Sequence, residues 1–342
     1  MATVKEVKLM KDGAMVTPLT LIDSVKNLDG TKYKDKIQEL LNNLEDVISD
    51  LAMNIMPLNW TEFSVEGMTP YYVDYANGMF FLGWSGQYQM GNNSAFSNDG
   101  INWTVVPNTT MFGSNYSYAG FCMTYGNGKF VVGGKDKVAY STDLLNWTAR
   151  DVNFTFSNIA YGNGIFVATG SNSLHYSTDG INWTLKTMGK SPRCVAYGNG
   201  KFVVGGVDGT VWYSTDGINW TMGSQDAITN SIASIAYGDG RFVMGNDYYN
   251  GKIAYSNDGI NWNAGVSWAT DITITDIAYG NGKFIAGGRK ISGSSPNPLA
   301  YSTDGINWTA INQNLFDSVL GVAYGNGKFV VGGNGKLARC TC

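Results

Sequence analysis

Residues 158–184 read NIAYGNGIFVATGSNSLHYSTDGINWT, and the same unit returns along most of the chain. Two short motifs carry it. The first is aromatic-Gly-Asn-Gly-x-Phe. It runs from Tyr161 to Phe166 here and recurs at Tyr75 to Phe80 (with Ala76 for the first glycine), Tyr125 to Phe130, Tyr197 to Phe202, Tyr237 to Phe242 (with Asp239 for the asparagine), Tyr279 to Phe284 and Tyr324 to Phe329. The second is Ser-x-Asp-Gly-Ile-Asn-Trp, at Ser177 to Trp183 and again from Ser97, Ser214, Ser256 and Ser302. A variant from Ser141 to Trp147 has Leu144 and Leu145 in place of Gly-Ile. Successive tyrosines stand 36 to 50 residues apart, the period of a repeat built from four short strands.

The quoted unit parses into those strands. Asn158 to Tyr161 is strand one, and Gly162-Asn163-Gly164 is a turn whose glycines tolerate positive φ. Ile165 to Thr169 is strand two and Leu174 to Ser177 strand three. Asp179-Gly180 then predicts a tight hairpin into strand four, Ile181 to Thr184. The strands are apolar on both faces, as sheets stacked between other sheets require. The two ends of the array complete each other. Leu58-Asn59-Trp60-Thr61 matches strand four, with no strands one to three before it. Tyr324 to Gly333 and Lys336 to Cys340 supply strands one to three, with no strand four after them. The fold class predicted is all-β: a seven-bladed β-propeller over residues 58–342, its ring closed by the N-terminal strand.

Composition agrees. The 342 residues hold 44 glycines, only 7 prolines and 15% charged side chains, which suits many tight turns. The net charge of −4, with no run of lysine or arginine, argues against nucleic acid. Met1 to Asp12 lacks the apolar core of a signal peptide, and no stretch approaches the ~18 apolar residues that cross a bilayer. Cys122 and Cys194 precede strand-one motifs and read as buried thiols, while Cys340 and Cys342 at the C-terminus are left without a role. His175, the single histidine, occupies a strand-three slot filled by Ala139, Ala254, Ala300 or Trp212 in other repeats, so it reads as packing. No metal site and no cofactor is expected.

Residues 1–57 have another chemistry. Val4 to Leu19 alternates around Asp12-Gly13, a hairpin signal. From Tyr33 to Ile55 there is neither Gly nor Pro, and Pro57 stops the helix this implies. Ile37, Leu41, Leu44, Ile48, Leu51 and Ile55 alternate four and three apart as an a/d seam, which Leu40 and Val47 widen. A helix of about 34 Å, at ~1.5 Å per residue, reads as a homo-oligomeric stalk. Docking on the side of the propeller is the alternative. The expected division is an anchor over 1–32, a coiled-coil helix over 33–57 and the propeller over 58–342.

Two resemblances follow from these residues. Ser-Thr-Asp-Gly-Ile-Asn-Trp-Thr resembles a shortened Asp-box, the hairpin of sialidase-like propellers. The resemblance implies that Asp143, Asp179, Asp216, Asp258 and Asp304 form turns between strands three and four, away from the ligand face. Residues 16–31 (Val16-Thr17-Pro18-Leu19-Thr20, Ser24-Val25, Asp29-Gly30-Thr31), followed by a helix, resemble the start of bacteriophage tail-fibre and baseplate proteins. That implies a homotrimer in the virion tail, made without a signal peptide. Residues 1–32 would attach to a tail or baseplate protein, and the distal domain would bind the host surface.

Sialidases use an arginine triad, a Tyr–Glu pair and an aspartic acid. Here the arginines are Arg150, Arg193, Arg241, Arg289 and Arg339, none in an Arg-Ile-Pro motif, and within 58–342 the only glutamates are Glu62 and Glu66. The expected function is therefore host attachment without catalysis. The alternatives are a sialidase-like glycoside hydrolase and a cellular lectin or scaffold propeller. The loops from strand four to strand one and from strand two to strand three vary, while those of the opposite face are nearly constant, so the variable face is the predicted binding face. Aromatic side chains there, Tyr88, Phe112 and Tyr116 in one group and Tyr248, Tyr249 and Trp268 in another, suit stacking on sugar rings, and a host-surface glycan is the expected ligand.

Overall fold

The computed structural model describes residues 9–11, 14–16, 58–65, 72–83, 93–112, 122–170, 172–224, 227–249, 251–269, 271–293, 297–333 and 335–341. The chain divides into two compact units, Met1–Pro57 and Leu58–Cys342. In the first, Leu9–Lys11 and Ala14–Val16 pair antiparallel with Lys11 opposite Ala14, the hairpin that Asp12-Gly13 requires. The Ile37 to Ile55 seam lies outside the described residues, as do Tyr88 and Tyr116.

The second unit is a ring of seven four-stranded antiparallel sheets. Their first strands, Tyr72–Ala76, Cys122–Gly126, Asn158–Gly162, Pro192–Gly198, Ile232–Gly238, Ile272–Gly280 and Gly321–Gly325, begin blades one to seven. The seventh blade borrows its fourth strand from the start of the array. Trp60–Phe63 pairs with Lys336–Thr341, Trp60 opposite Cys340 and Phe63 opposite Leu337. Trp60 is buried there among Phe316, Val319 and Phe329, so closure buries an aromatic anchor as well as two sheet edges.

Strand four begins later than the sequence suggests. In blade three it is Thr184–Lys186, and Ile181, Asn182 and Trp183 belong to the turn. The cause is the aspartate. The Asp179 carboxylate accepts the N–H groups of Ile181 and Asn182, both at 2.8 Å, and the Asn182 side-chain amide at 2.7 Å. Ser177 Oγ accepts the N–H of Gly180 at 2.8 Å. Backbone donors held by these side chains are withdrawn from the ladder until the turn is complete. The same bonds recur at Asp99, Asp143, Asp216, Asp258 and Asp304. Leu144 takes the glycine's place in the Asp143 turn at φ 64°.

The Tyr-Gly-Asn-Gly motif also divides its labour differently. Positive φ falls on the asparagine and the second glycine, 48° at Asn163 and 78° at Gly164. The first glycine is a seat for the next blade. A β-carbon on Gly162 would overlap the ring of Tyr197, and Gly126, Gly198, Gly238, Gly280 and Gly325 face Tyr161, Tyr237, Tyr279, Tyr324 and Tyr75 in the same way. The seated ring is then fixed at its far end. Tyr197 Oη donates to Asn163 Oδ1 at 2.7 Å, and Tyr161 Oη donates to Asn127 Oδ1 at 2.6 Å. Lysines flanking these turns reach the aspartate turn of the neighbouring blade: Lys129 Nζ donates to the Asp179 carbonyl at 3.0 Å and Lys201 Nζ to that of Asp258 at 2.7 Å. Arg241 replaces the lysine in blade five, donates to the Asp304 carbonyl and lies over the Tyr255 ring. The constant face is thus an inter-blade belt, and its repeated residues are accounted for by packing.

His175 is buried with its ring stacked 3.5 Å from that of Phe154, and desolvation lowers its pKa to about 4. Cys122 and Cys194 are buried free thiols, with Cys194 pushed up to about 12 by burial, and Cys340 is buried in the seventh blade. Among the described residues no helix is long and apolar enough to cross a membrane.

Candidate functional site

The seven inner strands surround a central cavity of about 790 Å³. Each inner strand is a sheet edge, so N–H groups along the cavity wall need acceptors from outside their own blade. Side chains of the preceding blade supply several. Asp74 Oδ2 accepts the Met123 N–H at 2.8 Å, Asn158 Oδ1 that of Val195 at 3.0 Å, and Asp276 Oδ2 that of Val322 at 2.8 Å. Ser234 Oγ donates to Asp276 Oδ1 at 2.8 Å and accepts the Ile277 N–H. Desolvation is the main influence on both carboxyls. It raises Asp74 to about 7, with Asp276 adding to the shift and the Met123 N–H opposing it. Asp276 is raised less, to about 6, because three hydrogen bonds hold its charged form.

Blades four to six depart from the repeat on the variable face. Their first strands are longer and carry a bulge between Pro192 and Cys194, between Ile232 and Ser234, and between Ile274 and Asp276. A bulge leaves one residue unpaired and re-aims its side chain. In blade four that residue is Arg193, which crosses to blade five and donates to Ser231 Oγ and Asp247 Oδ2, both at 2.6 Å. In blade six it is Thr275, whose Oγ1 donates to the Val319 carbonyl at 2.6 Å. Asp247 follows strand two of blade five, Arg289 lies near the end of strand two of blade six, and both line the cavity with Arg193 and Tyr72. Burial raises the Tyr72 pKa, and the charges of Arg289 and Arg193 pull it back.

The residues expected from sequence to bind fare unequally. Tyr248 and Tyr249, next along from Asp247, are 48% and 66% exposed, with ring centroids 5.3 Å apart. Their loop is closed by the Gly251 N–H donating to the Tyr248 carbonyl and the Lys252 N–H donating to Asn246 Oδ1. Trp268 is half-buried instead. Its ring packs 5.7 Å from that of Trp308, and its indole N–H donates to the Asn297 carbonyl. Phe112 ends a short helix, Asn108–Phe112, and is 1% exposed among Phe81, Phe96 and Phe130, so it is a core residue and cannot meet a ligand. Exposed apolar side chains continue on the rim at Val207 of blade four and Ile291 of blade six.

The arrangement can hold a polar or charged ligand against an aromatic rim. Its fold has solved counterparts. The chain is similar to streptogramin B lyase (12% identity, TM-score 0.69, covering 82% of this chain and 97% of the other). It is similar to a catalytically inactive histidine-to-alanine variant of virginiamycin B lyase from Staphylococcus aureus with quinupristin (12%, TM-score 0.68, 83% and 99%). It is also similar to YCF48 bound to D1 peptide (15%, TM-score 0.63, 84% and 97%). At these identities the likeness shows the seven-bladed fold alone, and that fold serves both an enzyme and a peptide-bound protein. No sequence-family description matches the chain, and no curated protein does.

The arginines, Asp74, Asp276 and Tyr72 were not singled out from sequence. For Tyr72, Asp276 and Arg289 a signal exists in the repeat itself. The slot three residues before each motif tyrosine holds Tyr72, Cys122, Asn158, Cys194, Ser234, Asp276 and Gly321, and the slot after strand two holds Lys135, Val207, Asp247 and Arg289 among others. These slots vary inside an otherwise constant unit, and Tyr72, Asp276, Asp247 and Arg289 among them line the cavity.

Proposed function

We propose that this propeller is a non-catalytic receptor-binding module, displayed by a bacteriophage tail and attaching to the host surface through a glycan held on the variable face. The observation that carries the reading is the Tyr248–Tyr249 pair, exposed on the rim beside Asp247, which lines the cavity. Adjacent exposed rings next to hydrogen-bonding side chains suit a sugar, whose C–H face stacks while its hydroxyls are bonded. Residues 33–57 are proposed as the trimeric stalk and 1–32 as the attachment to the tail or baseplate, on the sequence pattern alone.

Chemistry of the hydrolase kind finds little footing. Among the described residues no glutamate lines the cavity, and both oxygens of Asp276 are engaged by hydrogen bonds. His175 is buried within blade three, so no histidine reaches the cavity. The test is binding of the full chain to intact bacteria of candidate hosts before and after periodate oxidation of their surface glycans. Tyr248→Ala with Tyr249→Ala should abolish binding at an unchanged melting temperature, and periodate should do the same for the unaltered protein. Binding that survives both refutes the glycan reading. Light scattering that shows a monomer refutes the stalk.

A further inference from the structure

Cations on the variable face of blades four to six are mostly spoken for. Lys190 meets Asp208 and Arg193 meets Asp247, each at 2.6 Å, and Lys290 meets Asp317 at 3.0 Å. Arg289 is different. Its side chain lines the cavity and is exposed, yet no hydrogen bond or ion pair of its guanidinium occurs among the described residues.

The backbone that carries Arg289 is well held. Strand two of blade six, Lys283–Lys290, runs past the usual end of that strand, with Arg289 opposite Thr273 on one side and bridged to Ser318 on the other. A strand flanked on both sides positions a side chain better than a loop does. The guanidinium is a planar fork whose paired N–H donors match a carboxylate. Tyr72 shares the cavity and feels the charge of Arg289, which adds a phenol near the same place. The cavity's acidic groups would oppose an incoming anion, but Asp247 is neutralised by Arg193 and burial shifts Asp74 and Asp276 toward their neutral forms.

We infer that the glycan bound on this face is acidic: a hexuronate-type sugar whose carboxylate is taken by Arg289 at the cavity mouth while neighbouring sugar rings lie on Tyr248 and Tyr249. This rests on the glycan reading above. The carboxylate supplies the ion pair that the described residues leave unmade at Arg289, and the tyrosines of the adjacent blade supply the stacking surface. Neutral sugars bind the same rim without the ion pair and therefore more weakly.

The experiment is calorimetric titration of the full chain, at low salt, with tetramers of galacturonate and mannuronate, with the matching galactose and mannose tetramers, and with tetraglutamate. At least one uronate should bind tenfold or more tightly than its neutral match. Arg289→Gln should remove that preference, Arg289→Lys should recover part of it, and Tyr248→Ala with Tyr249→Ala should weaken acidic and neutral tetramers alike. Neutral tetramers that bind as tightly as uronates overturn the carboxylate assignment and leave the glycan reading standing. So does Arg289→Gln that binds uronate like the unaltered chain. Tetraglutamate that binds as tightly as uronate, or a failure of every sugar to bind, overturns both.

Discussion

The seat that each first motif glycine provides for the next blade is open to a clean test at Gly162. Its backbone lies outside the left-handed region, so alanine there carries no conformational penalty of its own. A β-carbon would, however, stand less than 3.0 Å from Cγ, Cδ2 and Cε2 of Tyr197. Carbon atoms rest about 3.5–4.0 Å apart, so the ring must retreat by roughly an ångström or more. Its phenol is tied to Asn163 at 2.7 Å, and its ring packs 4.7 Å from that of Phe202, so the retreat also strains those contacts. Overpacking of this kind costs about 1–3 kcal/mol, and more where the neighbour is pinned; the upper end is expected here. Gly164→Ala is the control. Nothing lies within 4 Å of its β-carbon, but φ is +78°, so it should cost only about 1 kcal/mol of backbone strain. Urea unfolding of the two variants, together with Gly162→Ala/Tyr197→Leu, forms the assay. The double variant should recover part of the loss by vacating the seat. A Gly162→Ala variant no less stable than Gly164→Ala would refute the packing account.

Three further outcomes follow from the fold and its charges. Trp60→Ala should cost about 3–5 kcal/mol, since a buried aromatic is lost from the closing strand; deletion of 336–342 should lower the melting temperature further, and a melting curve unchanged by either would sink the closure. Asp179→Ala should cost about 0.5–2 kcal/mol in chemical unfolding, because it removes the acceptor that ties the N–H groups of Ile181 and Asn182 into the turn; an unaffected midpoint would show that the turn forms without its acceptor. Asp74 gives a pH signature: with a folded pKa of about 7 against 3.8 for the free group, the folded chain binds the proton more tightly, and stability falls as pH climbs from the lower value to the higher and is level above. Asp74→Asn keeps an acceptor for the Met123 N–H, so its melting temperature should gain on the unaltered chain at pH 8 and match it near pH 4, and an equal difference at both pH values would contradict the raised pKa.

Much of the fold was written in the repeat because a repeated unit states its own period, and the incomplete units at the two ends show how the ring closes. The start of strand four was misplaced by three residues. Ile181 and Trp183 look like strand residues by composition, and only the reach of the Asp179 carboxylate shows that they are turn. Phe112 and Tyr249 are alike as sequence, each an aromatic in a variable connection. One is drawn under by a short helix against Phe81 and Phe96, and the other is held out by a six-residue loop. The bulges that aim Arg193 and lengthen blade six have no signature in residue type, and the cavity's arginines stand outside any known arginine motif.

The borrowed strand also sets a timetable for synthesis. Trp60–Phe63 leaves the ribosome roughly 280 residues before the partner that pairs with it. At about 5–20 residues per second that is some 14–56 s in which the strand waits without the blade it completes. For that interval Trp60 is an exposed aromatic on a free strand, an invitation to pair with the same strand of another nascent chain. Translation speed and chaperone supply should therefore govern yield in a way that the equilibrium stability of the closed ring does not reveal.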